Sequence, residues 1–254
     1  MALTRTIKLG DIEVPRVGLG TNRLADTAAN ESFVEQAVGA GLRHIDTAHT
    51  YTQGQSEATI GEALGPETDG VVVATKGGWG SGRPEEIREQ IAESLRRLRT
   101  DAIDLYYFHR PDPETPLEES LRPIKEARDA GKIRQVGLSS VSVDQIERGR
   151  RVVPVTAVQN HYNVEERKWD DAVDHCEREG IVFVPFFPLR GNRPEVDEIA
   201  NRRGCSPAQV KLAWLLRRSP AILPIPGTLS IDHLRENLGA LEIELSDAEF
   251  DALN

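Results

Sequence analysis

Short apolar runs alternate with longer amphipathic segments along most of this chain. Several of these runs are apolar nearly throughout, and do not alternate with polar residues, which is typical of parallel strands that are buried on both faces. The eight runs are "RVGLGT" from Arg16, "LRHIDT" from Leu42, "VVVATK" from Val71, "IDLYYFH" from Ile103, "IRQVGLSS" from Ile133, "VTAVQNHY" from Val155, "IVFVPFFP" from Ile181 and "AILPIPG" from Ala221. Repeated strand–helix alternation predicts an α/β fold of the (β/α)8 TIM-barrel class.

The amphipathic segments between these runs carry helix signals. In "RPEEIREQIAESLRRLRTD", Pro84 suits the first helical position. In "SPAQVKLAWLLRRS", Ser206 is the expected N-cap and Gln209 occupies the capping-box position. Two other segments reach a glycine, Gly41 or Gly180, just before the next strand, which predicts the end of a helix at each.

The N-terminal segment follows a different pattern. In "TRTIKLGDIEVPRV", two short alternating runs flank Gly10 and Asp11, which predicts a β-hairpin that caps the bottom of the barrel. No linker or low-complexity segment is visible, so we expect one barrel domain over residues 1–254. A doubly wound open sheet is the main alternative, and the lack of a complete G-x-G-x-x-G turn disfavours it.

Length and charge narrow the possible functions. A chain of 254 residues suits a single barrel of about 250 residues. The net charge of -10 argues against a nucleic-acid surface, and the basic run of Arg96, Arg97 and Arg99 is interpreted as a solvated helix face. No apolar run approaches the ~20 residues of a membrane span. Cys176 and Cys205 lie in no metal-like spacing and no secretory start is visible, so we expect a cytoplasmic protein.

Polar side chains stand at nearly every predicted strand end, which is where the active sites of barrel enzymes lie. Lys76 follows the apolar run "VVVAT", so its ammonium should be desolvated and needs a partner such as Asp46 on the neighbouring strand. Tyr51 follows Asp46 by five residues, and His109 ends the next strand. A core histidine and a strand-end lysine that reaches water explain these residues singly, but the four together favour one site.

These four side chains suit the reduction of a carbonyl group. A nearby ammonium stabilises the phenolate form of tyrosine, so Lys76 would make the Tyr51 hydroxyl a more effective acid. His109 would donate a hydrogen bond to the substrate oxygen as charge develops there. The hydride has to come from a cofactor, because no side chain supplies one. No metal site is expected, since His109 and Asp46 lack partners at metal-ligand spacing.

Six stretches of the sequence also carry a family resemblance: "DTAHTY", "ATKGG", "LYYFHRPDPETPLEES", "RQVGLSS", "VQNHYN" and "PIPGTLSIDHLREN". In this order they resemble the aldo-keto reductases over almost the whole chain. The resemblance implies a TIM barrel that binds NADPH and reduces aldehydes and ketones. It places the catalytic tetrad on Asp46, Tyr51, Lys76 and His109, with Tyr51 as the acid, Lys76 and Asp46 as its activators and His109 as the residue that orients the carbonyl.

The resemblance also implies a set of cofactor-binding residues. Gln159 and the two preceding serines match the positions that hold the nicotinamide carboxamide, and Phe186 takes the place of an aromatic residue that stacks on the nicotinamide ring. Backbone amides of Leu189 and Gly191 would bind the pyrophosphate. The full set is Thr21, Asn22, Asp46, Ser139, Ser140, Gln159, Phe186, Phe187, Leu189, Gly191, Gly227, Thr228, His233, Glu236 and Asn237.

The adenosine end departs from the family pattern at two positions. Gly227 stands where many members carry a lysine, and His233 stands where an arginine commonly binds the 2′-phosphate. Arginine is permanently charged, whereas histidine is charged only in part near neutral pH. We therefore expect NADPH as the cofactor, with NADH possible, and a helix N-terminus near Ser230 that supplies amide donors.

Little sequence follows the cofactor motif, so we expect an open, shallow substrate pocket formed by Trp79, His109 and Tyr51 that accepts various aldehydes. Simple surface packing of Trp79 is an equal alternative, because Gly78 and Gly80 make its loop hard to place. A small-molecule carbonyl substrate and a monomer are expected, without nucleic acid or membrane. A cofactor-binding regulatory barrel with little or no turnover is the second hypothesis, and a metal-dependent hydrolase that uses Asp46 and His109 is a remote third.

Overall fold

The computed structural model describes residues 4–66 and 70–254. An antiparallel hairpin precedes a parallel sheet in which each strand pairs with the next one along the chain. The hairpin strands are β1 (Thr6–Leu9) and β2 (Ile12–Pro15). The sheet strands are β3 (Leu19–Gly20), β4 (His44–Asp46), β5 (Val72–Gly77), β6 (Ile103–Phe108), β7 (Ile133–Ser139), β8 (Ala157–His161) and β9 (Val182–Phe186).

Helices connect successive strands and cover the outside of the sheet. They are α1 (Ala28–Gly39), α2 (Gln55–Leu64), α3 (Pro84–Arg97), α4 (Leu117–Asp129), α5 (Val143–Arg150), α6 (Asp170–Glu179), α7 (Pro194–Arg203), α8 (Pro207–Arg218), α9 (Ile231–Gly239) and α10 (Asp247–Ala252). Short 3₁₀ turns span Tyr51–Gly54 and Ala240–Glu242. Within the described ranges, no helix is both long and apolar enough to cross a membrane.

The eighth apolar run closes most of the gap between β9 and β3, but it does not form a regular strand. On one side, the Phe183 amide donates to the Ala221 carbonyl at 2.8 Å. On the other, the amides of Gly18 and Gly20 donate to the carbonyls of Pro224 and Pro226 at 2.9 and 3.2 Å. Proline has no N–H, so this edge accepts hydrogen bonds from β3 but donates none at these positions. The predicted (β/α)8 barrel is thus confirmed as a near-closed barrel. Its eighth segment occupies the strand position, but its prolines prevent a regular strand.

Side chains of each strand alternate between the barrel interior and the helix layer. On β5, Val72 and Ala74 belong to the interior cluster, whereas Val73 packs with the helices. Leu9 and Val14 of the hairpin pack into the interior cluster. The predicted hairpin and its position at the bottom of the barrel are therefore confirmed.

The local helix signals agree with the structure as well. Pro84 is the first residue of α3, and Ser206 and Gln209 form a reciprocal capping box at α8. Gly180 ends α6 with a φ of 67°, and Gly41 follows α1 with a φ of 100°. Glycine reaches such left-handed angles at little cost, which is why it stands at both helix ends.

Candidate active site

The carboxyl ends of neighbouring strands bring the four predicted catalytic side chains to one cavity. Asp46 ends β4, Lys76 lies near the end of β5, and His109 directly follows β6. Tyr51 opens the 3₁₀ turn after β4. The cavity has a volume of about 1050 Å³, and Asp46, Tyr51 and His109 line it. Lys76 is completely buried beneath them.

Every N–H donor of the Lys76 ammonium has a partner. Its Nζ atom lies 2.5 Å from Asp46 Oδ1, 2.7 Å from the Thr47 carbonyl oxygen and 3.3 Å from the Tyr51 hydroxyl. Burial by itself lowers the pKa of Lys76, but the charge and hydrogen bond of Asp46 outweigh it and leave this pKa above its usual value. Lys76 therefore stays charged beside the phenol.

The backbone of the turn that carries Tyr51 is strained. Thr52 and Gln53 have φ angles of 46° and 59°, and Gly54 follows with 89°. Non-glycine residues seldom adopt this left-handed region. The Thr52 hydroxyl donates to the Leu24 carbonyl at 2.8 Å, so the turn is tied to the loop after β3. Strain of this kind is common where a functional side chain is held in place.

His109 presents a neutral imidazole to the cavity. Burial, together with the positive charges of Lys76 and Arg110, lowers the pKa of His109 to about 2. Its Nδ1 atom is buried without a hydrogen-bond partner in the described structure. The ring lies 6.1 Å from the Tyr51 ring and 4.8 Å from the indole of Trp79, measured between centroids. Trp79 lines the cavity and is also 51% exposed, so it is both a wall and a surface residue.

Gln159 connects the catalytic group with a second set of polar side chains. Its Nε2 atom donates to Asp46 Oδ2 at 2.8 Å. A carboxylate only accepts hydrogen bonds, so the amide nitrogen of Gln159 has to face Asp46, and its carbonyl oxygen is left to accept another donor. Ser139 ends β7, and Ser140 follows with a left-handed φ of 59°. Both serines line the cavity beside Gln159.

Aromatic rings form the opposite wall. Phe186 stacks on His161 with a centroid distance of 5.3 Å and an interplanar angle of 11°. Phe186 also lines the cavity, so His161 packs against its ring and the ring remains accessible from the cavity. Phe187 has a φ of 53° and is 38% exposed, and the Arg190 guanidinium lies 3.8 Å from its ring centroid.

A second cavity of about 500 Å³ continues from the first. It lies at the N-terminus of α9, where the Ser230 side chain caps the helix by accepting from the His233 amide at 3.4 Å. Three residues line both cavities: Arg23, Leu189 and Gly227. The predicted adenosine-end residues among its lining are Gly227, Thr228, His233, Glu236 and Asn237.

Two predicted cofactor residues differ from the others in their placement. Thr21 is 2% exposed, and its hydroxyl donates to the Asp46 carbonyl at 2.9 Å, so it braces the β4 end while Asn22 beside it lines the cavity. Gly191 lines neither cavity, and its carbonyl accepts from Lys211 Nζ at 2.6 Å.

Comparison with known proteins agrees with this geometry. The model of the aldo/keto reductase family matches residues 16–254. The chain belongs to the aldo/keto reductase family. Pyridoxine 4-dehydrogenase of Escherichia coli is 34% identical, over 99% of this chain and 98% of that protein. An oxidoreductase of Schizosaccharomyces pombe is 36% identical, over 98% and 89% of the two chains.

Solved structures of other aldo/keto reductases share the fold along nearly their whole length. The thermostable aldo-keto reductase Tm1743, solved with the inhibitor epalrestat, has a TM-score of 0.92 and 31% identity, and each chain is covered to 98%. An aldo-keto reductase of Klebsiella pneumoniae, solved with NADPH, has a TM-score of 0.89 and 30% identity over 100% of this chain and 94% of that one. This chain is thus an NAD(P)H-dependent oxidoreductase.

Several polar residues of this aldo/keto reductase were missed by sequence reasoning. Arg23, Arg110 and Arg190 line the large cavity. Lys211 Nζ donates to the backbone carbonyls of Leu189 and Gly191 in the loop after Phe187. Only Arg110 had a visible signal, because it directly follows His109 at a strand end. Over residues 4–66 and 70–254, no group of three or more His, Cys, Asp or Glu side chains is placed to hold a metal ion.

The residues of this aldo/keto reductase fit a nicotinamide dinucleotide. Among the described residues, no donor contacts the Gln159 carbonyl oxygen, so it can accept a hydrogen bond from an amide, and the Phe186 ring, stacked on His161, adds a flat apolar surface to the same cavity. The two connected cavities extend from there to a capped helix N-terminus, a place that favours phosphate groups.

Proposed function

We propose that this aldo/keto reductase reduces aldehydes and ketones to alcohols with NADPH, and that Tyr51 is the general acid. The observation that carries this proposal is the position of the Lys76 ammonium, 3.3 Å from the Tyr51 hydroxyl and 2.5 Å from Asp46 Oδ1. Bound NADPH supplies the hydride.

The protein residues divide the remaining work. Tyr51 donates its hydroxyl proton to the carbonyl oxygen, and the Lys76 ammonium stabilises the phenolate that remains. Asp46 keeps Lys76 charged and in place. The neutral imidazole of His109 donates a hydrogen bond that orients the carbonyl oxygen, which lowers the energy of the charge that develops there.

Cofactor residues hold the two ends of NADPH. Ser139, Ser140 and Gln159 would bind the nicotinamide carboxamide, and Phe186 would offer its face to the ring. Thr228, His233 and the N-terminus of α9 would bind the adenosine 2′-phosphate end. This division rests on the placement of these side chains along the two connected cavities.

The test is the loss of reduced nicotinamide absorbance with a panel of aldehydes, using wild-type protein and Tyr51→Phe. We expect Tyr51→Phe to lower turnover by about 10²- to 10⁴-fold, the usual contribution of a positioned acid, and to leave NADPH binding unchanged by fluorescence titration.

Tyr106→Phe is the matched control. The Tyr106 hydroxyl is buried without a hydrogen-bond partner in the described structure, and the ring packs on the helix side of the barrel. Its removal should leave turnover unchanged. Wild-type turnover in Tyr51→Phe would remove the proposed acid, and NADPH binding without turnover of any aldehyde would favour a regulatory barrel.

A further inference from the structure

Positive charge is concentrated at the large cavity, although the protein carries a net charge of -10. The cavity lining contains three arginines, Arg23, Arg110 and Arg190, and a single acidic residue, Asp46. The Asp46 carboxylate already accepts from Lys76 and Gln159. In the part of the chain that the structure describes, none of the three guanidiniums has a carboxylate within ion-pair distance. These arginines are therefore available to an anionic ligand.

Two of the arginines lie toward the proposed cofactor phosphates. Arg23 lines both cavities, so it stands where they join. Arg190 covers the Phe187 ring next to Leu189, which also lines both cavities. NADPH itself brings several negative charges to this region, and these two guanidiniums suit them.

Arg110 lies beside His109, the residue that is proposed to orient the substrate carbonyl. Its backbone directly follows His109, and its guanidinium carbon is 4.3 Å from the centroid of the Trp79 ring. The same indole packs against the His109 imidazole at 4.8 Å. One aromatic ring therefore contacts both the guanidinium and the histidine that is proposed to orient the substrate oxygen.

The contact with Trp79 restricts the Arg110 side chain at the cavity. Gly78 and Gly80 flank Trp79 with left-handed φ angles of 86° and 95°, which set the course of the loop that carries the indole. A guanidinium that lies on a ring uses its flat face for that contact and keeps the N–H groups at its edge for hydrogen bonds. That edge matches the two oxygens of a carboxylate or phosphate.

We propose that Arg110, held by Trp79, is a specificity-determining residue that selects carbonyl substrates bearing an anionic group. The aldehyde or ketone oxygen would lie at Tyr51 and His109. The anionic group of the same substrate, a carboxylate or phosphate, would bind the Arg110 guanidinium beside the Trp79 indole. This inference rests on the proposed carbonyl reduction and adds its substrate class.

The first experiment compares kcat/KM for 4-carboxybenzaldehyde and its methyl ester, with NADPH, in wild-type protein and Arg110→Met. We expect the wild type to prefer the acid and Arg110→Met to lower kcat/KM for the acid by about 10- to 100-fold, the value of one charged hydrogen-bonding group, while the ester changes less than about threefold. Arg110→Lys should restore part of the loss. Arg122→Met, which removes an exposed arginine of α4 outside the cavity, is the matched control.

A second pair of substrates identifies the anion. Glyceraldehyde 3-phosphate is compared with glyceraldehyde in the same variants. A larger Arg110 effect on the phosphorylated pair identifies phosphate, and a larger effect on the benzaldehyde pair identifies carboxylate. The proposal is overturned if Arg110→Met changes charged and uncharged substrates equally in both pairs, whereas reduction itself would then still stand.

A binding measurement keeps the proposal testable without turnover. Titration of the NADPH-loaded protein with 4-carboxybenzyl alcohol by isothermal titration calorimetry measures ligand binding without relying on turnover. Binding in the wild type that is lost in Arg110→Met supports the anion site even if no aldehyde is reduced, and only the proposed reduction then fails. Equal affinity in both proteins overturns the anion site.

Discussion

Strand β5 meets a buried carboxylate on each of its two faces, and the two have different surroundings. On the inner face, Lys76 pairs with Asp46, which is 1% exposed. On the outer face, the neighbouring residue Thr75 donates to Glu57 Oε1 at 2.6 Å, and Glu57 is completely buried. Consecutive strand residues point to opposite faces, so adjacent positions serve the two sides of the barrel wall.

The two carboxylates differ in what else reaches them. Asp46 lines the large cavity, whereas Glu57 lines none of the described cavities and is covered by Arg97, whose Nη1 atom lies 3.2 Å from Glu57 Oε2. Arg97 also donates to the carbonyl of His49, two residues before Tyr51. A buried charge pair is therefore not a sign of catalysis by itself; access of a substrate to the pair is the distinguishing feature. The outer pair therefore stabilises strand β5, which carries Lys76, and the segment that leads to Tyr51.

The largest effect on stability is expected when the outer pair is broken. Arg97→Leu leaves the Glu57 carboxylate buried without its charge partner, which should lower the free energy of unfolding by about 3–5 kcal/mol in urea titrations. Arg96→Leu is the matched control: Arg96 is one residue earlier on α3, is 71% exposed and also contacts Glu93, so its loss should cost less than about 1 kcal/mol.

The double variant Arg97→Leu with Glu57→Leu sharpens this test, since it leaves no unpaired carboxylate buried between β5 and the helices. It should recover part of the stability that Arg97→Leu alone loses. Equal costs for Arg97→Leu and Arg96→Leu would contradict the distinction between a bracing pair and a surface pair.

A pH-dependent effect is expected from the inner face. His44 lies two residues before Asp46 on β4, and complete burial lowers its pKa to about 4, against partly opposing effects of Asp46 and of a hydrogen bond to Val72. As pH falls, an unfolded imidazole with a pKa of ~6.5 binds its proton first. The stability that depends on neutral His44 is thus complete above pH ~6.5 and is lost toward pH ~4, in total about 3 kcal/mol.

The measurement is the free energy of unfolding between about pH 7.5 and 3.5 (a range chosen to span the two values). His44→Leu should show a shallower decrease than the wild type across this range, because the variant has no buried imidazole to protonate. An unchanged slope in His44→Leu would mean that this imidazole is not held neutral inside the barrel.

The same contrast shows how far the sequence could be interpreted. Asp46, Lys76 and His109 were predictable because each ends an apolar run, and barrel topology brings strand ends together. The prediction of Arg97 on a solvated face was wrong: its side chain is 20% exposed and pairs with Glu57, whereas Arg96 and Arg99 are 71% and 56% exposed. Glu57 lies 40 residues earlier, and no local pattern shows which residue of α3 meets α2.

Other features also depended on contacts between distant segments. The bond from Gln159 to Asp46 joins residues 113 positions apart, so the sequence could place both side chains at the barrel mouth but not orient the amide. The apolar run from Ala221 predicted the position of the eighth strand, yet Pro224 and Pro226 prevent a regular ladder there. The apolar pattern identified this segment as part of the barrel, and the missing N–H groups of its prolines determine how it pairs with its neighbours.

The smallest effect is expected at the adenosine end, far from either face of β5. His233 lies in the first turn of α9 and lines the second cavity together with Glu236 and Arg23. Arginine offers phosphate a permanent charge and a planar set of N–H donors, so variants at position 233 test whether this side chain faces the 2′-phosphate. They should change the preference for NADPH over NADH only a few-fold, because Arg23 and the N-terminus of α9 also lie at this cavity.

His233→Arg and His233→Gln separate charge from shape at this position. The arginine variant should prefer NADPH more strongly than the wild type, since it adds a permanent charge. The glutamine variant should show a weaker preference than the arginine variant, since its side chain carries no charge. The measurement is the ratio of kcat/KM for the two cofactors with one aldehyde. The same ratio in the wild type and both variants would show that position 233 does not contact the 2′-phosphate, and the discrimination would then rest on Arg23 and the amides of α9.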